Sequence, residues 1–276
     1  MKKFAVFGNP IAQSVSPSIH KMFAEQVGEE IAYDKLLAPL DGFKEEATAF
    51  FSQADVIGCN VTVPFKGDAW ALADSLNNAA DLAQAVNTLH KTSDGKLAGY
   101  NTDGIGLVAD LQNQGVSLAD KKVLIIGAGG ACRGVVHPLL DMGIATLAIT
   151  NRTTEKAKSI ANSADDSRVI ALNKAGLTSF EPDIIINSTS ASLSHTLPEM
   201  EGIVFSHCEL AYDMVYGSQP TTFMLAMRER GIGNVADGLG MLVEQAAASF
   251  TIWTAKTVQT APVIQRLREQ LVQKQA

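Results

Sequence analysis

The stretch VLIIGAGGACRG, residues 123 to 134, constrains the fold of this chain more than any other. Val123, Leu124, Ile125 and Ile126 form an unbroken apolar run, the pattern of a strand buried on both faces of a parallel sheet. The run leads straight into Gly127, Gly129 and Gly130, where the backbone must bend tightly and let a ligand come close. A helix follows, and the free N–H groups of its first turn favour a phosphate. Strand, glycine turn and helix in this order point to a dinucleotide site, with Gly127, Ala128, Gly129, Gly130 and Ala131 as its pyrophosphate loop. The match to G-x-G-x-x-G is imperfect, because Cys132 stands at the third glycine. Cysteine is small, and the surrounding pattern is intact.

The end of the next strand decides which nucleotide fits. Sites for NAD usually carry an acidic residue about 20 positions on, which accepts hydrogen bonds from the ribose hydroxyls and repels a 2′-phosphate. Here the strand ends in NRTTEK, residues 151 to 156. Asn151 and Thr153 can donate hydrogen bonds, Arg152 offers a planar guanidinium, and Lys156 adds a second cation one helical turn on. NADP is therefore expected over NAD.

Short apolar runs alternate with amphipathic stretches along the whole chain. KKVLIIG (121–127), ATLAITN (145–151), PDIIINS (182–188) and CELAYDMV (208–215) read as strands with helices between them. An earlier block holds KFAVFG (3–8) and ADVIGCNVTV (54–63) as strands, with a helix from Pro17 to Val27. GYNTDGIGLVADLQ (99–112) is the crossing between the blocks, and helices over 237–253 and 261–273 close the chain. At 276 residues, 46% of them hydrophobic, the chain is long enough for two cores. The expectation is an α/β protein of two domains, its sheets parallel and covered on both faces.

The net charge of −7 and the lack of basic runs interleaved with aromatics speak against a nucleic-acid partner. The N-terminal MKKFAVFGNP carries two lysines before an apolar run of about five residues, too short for a signal-peptide core or a membrane span. Cys59, Cys132 and Cys208 are too few and too scattered for a disulfide framework, and no CxxC or HExxH spacing marks a metal site. A cytoplasmic protein without metal or membrane partner is expected.

NVTVPFK, residues 60 to 66, ends a strand of the first block with a proline and places a lysine just beyond it. Reduction of a carbonyl by a nicotinamide requires a donor or cation beside the developing alkoxide, and Lys66 is a candidate. By position alone a solvated surface lysine is the commoner case. Further pieces surround it: GNPIAQSVSPSIH (8–20), GCNVTVPFK (58–66), AVNTL (85–89), GYNTDGIG (99–106), GAGGACRGV (127–135), NRT (151–153), YDMVY (212–216) and ADGLGMLVEQAA (236–247). In order and spacing these closely resemble the motifs of the shikimate dehydrogenase family, over nearly the whole chain.

That resemblance implies a two-domain enzyme that reversibly reduces 3-dehydroshikimate to shikimate with NADPH, in the shikimate pathway of aromatic amino-acid biosynthesis. It implies a substrate domain over residues 1–102 plus 238–276, with C-terminal helices returning to it, and a Rossmann-like NADP domain over 103–237. Carried over position by position, it makes Lys66 and Asp103 the catalytic pair at the C3 oxygen. Ser14 and Ser16 become donors to the substrate carboxylate. Thr62, Asn87, Asp103, Tyr216 and Gln245 become ligands of the ring hydroxyls, while Asn78, Met214 and Gly238 touch the cofactor. Ser14 and Ser16 also read as turn and cap residues, and Gln245 as a solvated helix position.

Two departures from the family pattern stand out. Ser192 in NSTSASLS (187–194) occupies a usual glycine, which predicts a different loop path near the cofactor, and QPTTF (219–223) carries Thr222 where proline is usual. His20, His90, His137, His195 and His207 lie outside the carried-over catalytic roles and read as structural or surface residues. A quinate/shikimate dehydrogenase using NAD would be expected to carry an acid at 151 or 152, and a silent binding module to lack Lys66 or Asp103. A redox sensor would need Cys59 or Cys132 in a reactive setting, yet apolar or glycine neighbours flank both. Monomer and homodimer both remain open.

Overall fold

The computed structural model describes residues 1–273, which divide into two compact units. The first comprises Met1–Gly106 and Val243–Gln265, and the second comprises Leu107–Leu242 and the segment from Arg266 onward. The sequence places the boundaries at 102/103 and 237/238; by packing, the chain changes unit inside three helices, at 106/107, 242/243 and 265/266.

The first unit begins β1 (Lys2–Gly8), α1 (Ser16–Val27), β2 (Ile31–Leu37), α2 (Phe43–Phe51), β3 (Val56–Val61) and α3 (Lys66–Leu72). It continues through β4 (Ser75–Leu76), α4 (Asn78–Ala83), β5 (Thr88–Lys91), β6 (Leu97–Tyr100) and the first turn of α5 (Asp103–Asn113). Its sheet order is β2-β1-β3-β5-β6-β4. The sheet is mixed, not parallel throughout: β5 runs antiparallel to both β3 and β6. The cause is local, since Thr92 to Lys96 close a tight hairpin around Asp94-Gly95, with Gly95 at φ +84°. The strand β2 is a half-buried edge strand without a continuous apolar run, so the sequence carries no strand pattern there.

The second unit holds the rest of α5, then β7 (Lys122–Ile126), α6 (Gly130–Asp141), β8 (Thr146–Thr150), α7 (Thr154–Ser163), β9 (Val169–Leu172) and α8 (Lys174–Leu177). There follow β10 (Ile184–Asn187), a short 3₁₀ turn at Ala191–Ser194, β11 (Leu210–Asp213), α9 (Thr222–Glu229) and β12 (Val235–Asp237). The closing helices are α10 (Leu239–Thr254) and α11 (Ala261–Gln273). All six strands are parallel, in the order β12-β11-β10-β7-β8-β9. The two-residue period of a strand explains why its apolar runs are continuous. Val123, Ile125, Leu147, Ile149, Ile184 and Ile186 pack into one cluster, and Leu124, Ile126, Ala148, Ile185 and Ala211 into another.

From Val243 onward α10 belongs to the first unit, where its Trp253 Nε1 donates to the Leu89 carbonyl at 3.0 Å and its ring lies 4.9 Å from Phe4. Gly58 makes room for it: a Cβ there would fall 2.2 Å from Trp253 Nε1 and 2.6 Å from the Leu89 oxygen. His20 lies wholly buried in the same region, stacked on Tyr33 at 4.5 Å and tilted against Trp253 at 5.2 Å. Its Nε2–H donates to the Asn60 amide oxygen at 3.1 Å. Burial lowers its pKa to about 3, despite that bond, so the ring is neutral at ordinary pH.

Two predictions follow from this packing. Gly58→Ala forces a methyl into the Trp253 indole and should cost about 1–3 kcal/mol in chemical denaturation, whereas Gly67→Ala, where a Cβ meets nothing within 4 Å, should be neutral or gain about 0.4–1 kcal/mol. A Gly58→Ala protein as stable as wild type would show that the indole is not held there. For His20, the unfolded chain takes up a proton below its ordinary pKa of 6.5 that the folded chain refuses until about 3. Its contribution is complete above about pH 6.5 and declines as pH falls, by up to about 1.4 kcal/mol per unit. Urea titrations at pH 7, 6 and 5 should show a fall in stability in wild type that is shallower in His20→Gln by a difference approaching one proton at pH 5; equal slopes would remove His20 from the account.

Candidate active site

In the first unit the site grows from the end of β3. Phe65 is fully buried and stacked on Phe43 at 5.2 Å, which anchors the chain just before α3 and sets Lys66 at that helix's first position. The Lys66 carbonyl accepts the Val86 N–H at 2.9 Å, tying it to the AVN segment. The Lys66 ammonium donates to Asp103 Oδ2 at 2.5 Å, with the two side chains 30% and 11% exposed. Asp103 opens α5, and its own N–H is held by Asn101 Oδ1 at 3.0 Å, while Asn101 in turn donates to the Ala85 carbonyl. The carboxylate is therefore placed by the backbone before any ligand is considered.

Its other oxygen is taken by Asn87. The Thr102 N–H, an obligate donor, points at Asn87 Oδ1 at 2.9 Å, and this fixes the amide's orientation. Asn87 Nδ2 then faces Asp103 Oδ1 at 2.9 Å, Thr102 Oγ1 at 2.8 Å and Gln245 Oε1 at 3.2 Å. Gln245 thus belongs to the cluster and is not a solvated helix position. Behind Asn87 runs a buried polar chain: Thr88 Oγ1 donates to Asn87 Oδ1, lies 2.7 Å from Ser249 Oγ, and accepts from Asn60 Nδ2 at 3.2 Å. The Tyr33 hydroxyl closes the far end by donating to Asn60 Oδ1 at 2.6 Å. Of these supporting groups, Thr88 and Thr102 lie in the quoted NTL and NTDG motifs, whereas Tyr33 and Ser249 carried no sequence signal.

Thr62 is half-buried at the end of β3, its N–H bonded to the Phe7 carbonyl at 2.9 Å. Ser14 Oγ donates to Ser16 Oγ at 3.1 Å and accepts the Ser16 N–H at 3.3 Å. The turn reading of Ser14 holds in that bond; the cap reading of Ser16 does not, since Val15 occupies the N-cap of α1 and no side chain caps it. Asn78 begins α4, behind Asn77, whose side chain accepts the Ala80 N–H. Tyr216 lies in the second unit, half-buried, in the turn after β11.

In the second unit, Gly127 stands at φ +112°, and a Cβ there would meet Ser188 Oγ at 2.6 Å, so the position requires glycine. Gly129 and Gly130 have open space where side chains would be, which leaves the N-terminus of α6 clear. Cys132 is buried in the core cluster instead of forming a third open position. Burial pushes its thiol up to about 12 and that of Cys208 up to about 11, and it raises Cys59 as well, so thiolate chemistry is not favoured at any of them.

Asn151 does something the sequence did not suggest: its Oδ1 accepts the Ala128 N–H at 3.2 Å and its Nδ2 donates to the Thr153 carbonyl at 3.0 Å, locking the turn after β8 to the glycine loop. Arg152, Thr153 and Lys156 are exposed beside it. Met214 and Gly238 pack backbone to backbone, a Cβ at Gly238 falling 2.1 Å from the Met214 carbonyl oxygen. Ser192 finds a clear role, donating to the buried Asp213 Oδ2 at 2.6 Å alongside Thr221 Oγ1 at 2.6 Å. Thr221 also caps α9, which leaves Thr222 at the first helical position. Among the described residues no cluster of His, Cys, Asp or Glu could hold a metal ion, and no helix is long and apolar enough to cross a membrane.

Comparison with known proteins finds matches along most of the chain. Residues 6–89 match the family model for the shikimate dehydrogenase substrate binding domain, residues 109–201 that for shikimate / quinate 5-dehydrogenase, and residues 238–268 that for the shikimate 5′-dehydrogenase C-terminal domain. A relative named shikimate dehydrogenase (NADP(+)) from Alteromonas mediterranea is 56% identical over 270 residues, covering 98% of this chain and 97% of its own length. Among solved structures, an Ael1 enzyme from Pseudomonas putida superposes with a TM-score of 0.91 at 39% identity, over 97% of this chain and 98% of its own. The shikimate 5-dehydrogenase of Thermus thermophilus, solved in complex with NADP(H) and shikimate, gives 0.85 at 29% identity, over 98% of this chain and 99% of its own. The chain belongs to the shikimate dehydrogenase family.

Proposed function

We propose that this protein catalyses the NADPH-dependent, reversible reduction of 3-dehydroshikimate to shikimate in aromatic amino-acid biosynthesis. The observation that carries the reading is the Lys66–Asp103–Asn87 cluster, a cation and a carboxylate 2.5 Å apart whose second oxygen is held by an amide. The substrate is a small ring with one carboxylate and several hydroxyls. Ser14, Ser16, Thr62, Asn87, Tyr216 and Gln245 offer short donors and acceptors of the kind that can satisfy each group and disfavour analogues lacking one.

The second unit holds the cofactor. Gly127 to Ala131 and the open N-terminus of α6 suit the pyrophosphate, and Arg152, Thr153 and Lys156 suit a 2′-phosphate. Asn151 acts through the turn it locks, Met214 and Gly238 complete the set in this unit, and Asn78 of the first unit is the remaining cofactor residue. When bound, NADPH supplies the hydride. The chain's own groups then manage the proton: the Lys66 ammonium faces the C3 oxygen, stabilises the negative charge that develops there, and gives it the proton that completes the alcohol. Asp103 orients both the ammonium and the ring.

NADP⁺ reduction followed at 340 nm, with shikimate and quinate each paired with NADP⁺ and NAD⁺, tests the specificity: shikimate with NADP⁺ should be turned over far faster than the other three pairings. Equal rates with NAD⁺ would contradict the role given to Arg152 and Lys156. Lys66→Ala should lower kcat by about 10²- to 10⁴-fold with little change in KM. An unchanged kcat would remove Lys66 from the chemistry.

A further inference from the structure

The helix α11 sends one side chain back onto the sheet edge of the second unit. Arg268 takes hold of Asp237 with both terminal nitrogens, Nη1 to Oδ2 at 2.8 Å and Nη2 to Oδ1 at 2.5 Å, and Nη1 also donates to the Gly217 carbonyl at 2.9 Å. Asp237 ends β12 and its side chain is only 4% exposed, so the pair is a two-pronged contact on a nearly buried acid. Asp237 Oδ1 also accepts the Leu239 N–H at 3.2 Å, at the start of α10.

These bonds join two turns, the one after β11 that carries Met214, Tyr216 and Gly217, and the one after β12 that carries Gly238. The turns already touch, with the Gly238 N–H 3.3 Å from the Val215 carbonyl and no room for a side chain at Gly238. The Tyr216 phenol is pushed up, first by burial and then by the charge of Asp237, which places the ring in the field of that acid.

Topology assigns the turns to one half of the cofactor. Read from β9, the strands follow the order third, second, first, fourth, fifth, sixth, the doubly wound arrangement in which each half of the sheet takes one mononucleotide. The glycine loop and Arg152 follow the first and second strands, on the adenosine side. The two turns gripped by Arg268 follow the fifth and sixth. We propose that Arg268 is a positioning residue for the nicotinamide half of the cofactor site, holding these two turns in register. The inference rests on the NADP reading of the second unit. Arginine suits the task because its planar fork spans both carboxylate oxygens and still reaches a carbonyl, which a lysine ammonium does not. Without it, the nearly buried Asp237 carboxylate keeps the Leu239 N–H but has no cation, and its turn must open to find water.

Calorimetric titration of the full-length protein with NADP⁺, and separately with 2′-phospho-ADP-ribose, which lacks only the nicotinamide, tests this. In Arg268→Ala the dissociation constant for NADP⁺ should rise about 5- to 20-fold while that for the fragment changes less than about 2-fold. A parallel loss for both ligands would make Arg268 a general strut of the unit and overturn the proposal, as would an unchanged NADP⁺ affinity. Should Arg268→Ala fail to fold, Arg268→Lys keeps the charge and loses the fork. It should show the same selective loss, about 3- to 10-fold, and wild-type affinity for NADP⁺ in that variant would equally overturn the proposal. Failure of the NADP reading looks different, because wild type itself then binds neither ligand.

Discussion

The first unit depends on one carboxylate whose two oxygens have separate partners. Asp103 gives Oδ2 to the Lys66 ammonium and Oδ1 to the Asn87 amide, while the Asn101 side chain fixes its backbone. None of these residues is close to the others in sequence except Asn101. They meet because β3, β5 and the start of α5 converge at one end of the mixed sheet. The Asn87 oxygen is already committed to the Thr102 N–H, so the amide cannot turn over without leaving a buried donor unpaired, at a cost of about 1–3 kcal/mol. The geometry is thus set before a ligand arrives, which is the condition under which fixed charges accelerate a reaction.

The second unit is built differently, with open space at the N-terminus of α6. Its parallel sheet carries two apolar faces and leaves its polar work to the turns beyond the strand ends. Gly127 must be glycine because Ser188 stands where a side chain would go, and Gly129 and Gly130 keep the mouth of α6 clear. Asn151 stitches the glycine loop to the neighbouring turn that carries Arg152 and Thr153, so the two are built as one piece.

Much of this was legible in the residues. The glycine turn, the apolar strands of the second unit and the helices at the chain's end stand out because each has a strong local pattern. The hairpin β5–β6 and the edge strand β2 have no comparable pattern, since the hairpin strands are four residues each and the seven-residue β2 is only half-buried, even though Asp94-Gly95 is a turn signal. The Lys66–Asp103 pair was legible only through resemblance; a lone lysine after a proline has no local pattern that separates it from a surface residue. Ser249 was illegible for a geometric reason, as its partner Thr88 lies 161 positions away in sequence. Ser192 and Thr221 likewise become intelligible only when Asp213 is seen buried between them.

The central claim is that Lys66 and Asp103 act as one unit. A double-mutant cycle on kcat, using Lys66→Met, Asp103→Asn and the double variant, tests it most directly. The account predicts that the double variant is hardly slower than the slower single variant, because either change already dismantles the pair. Losses that multiply would show two independent contributions and contradict it.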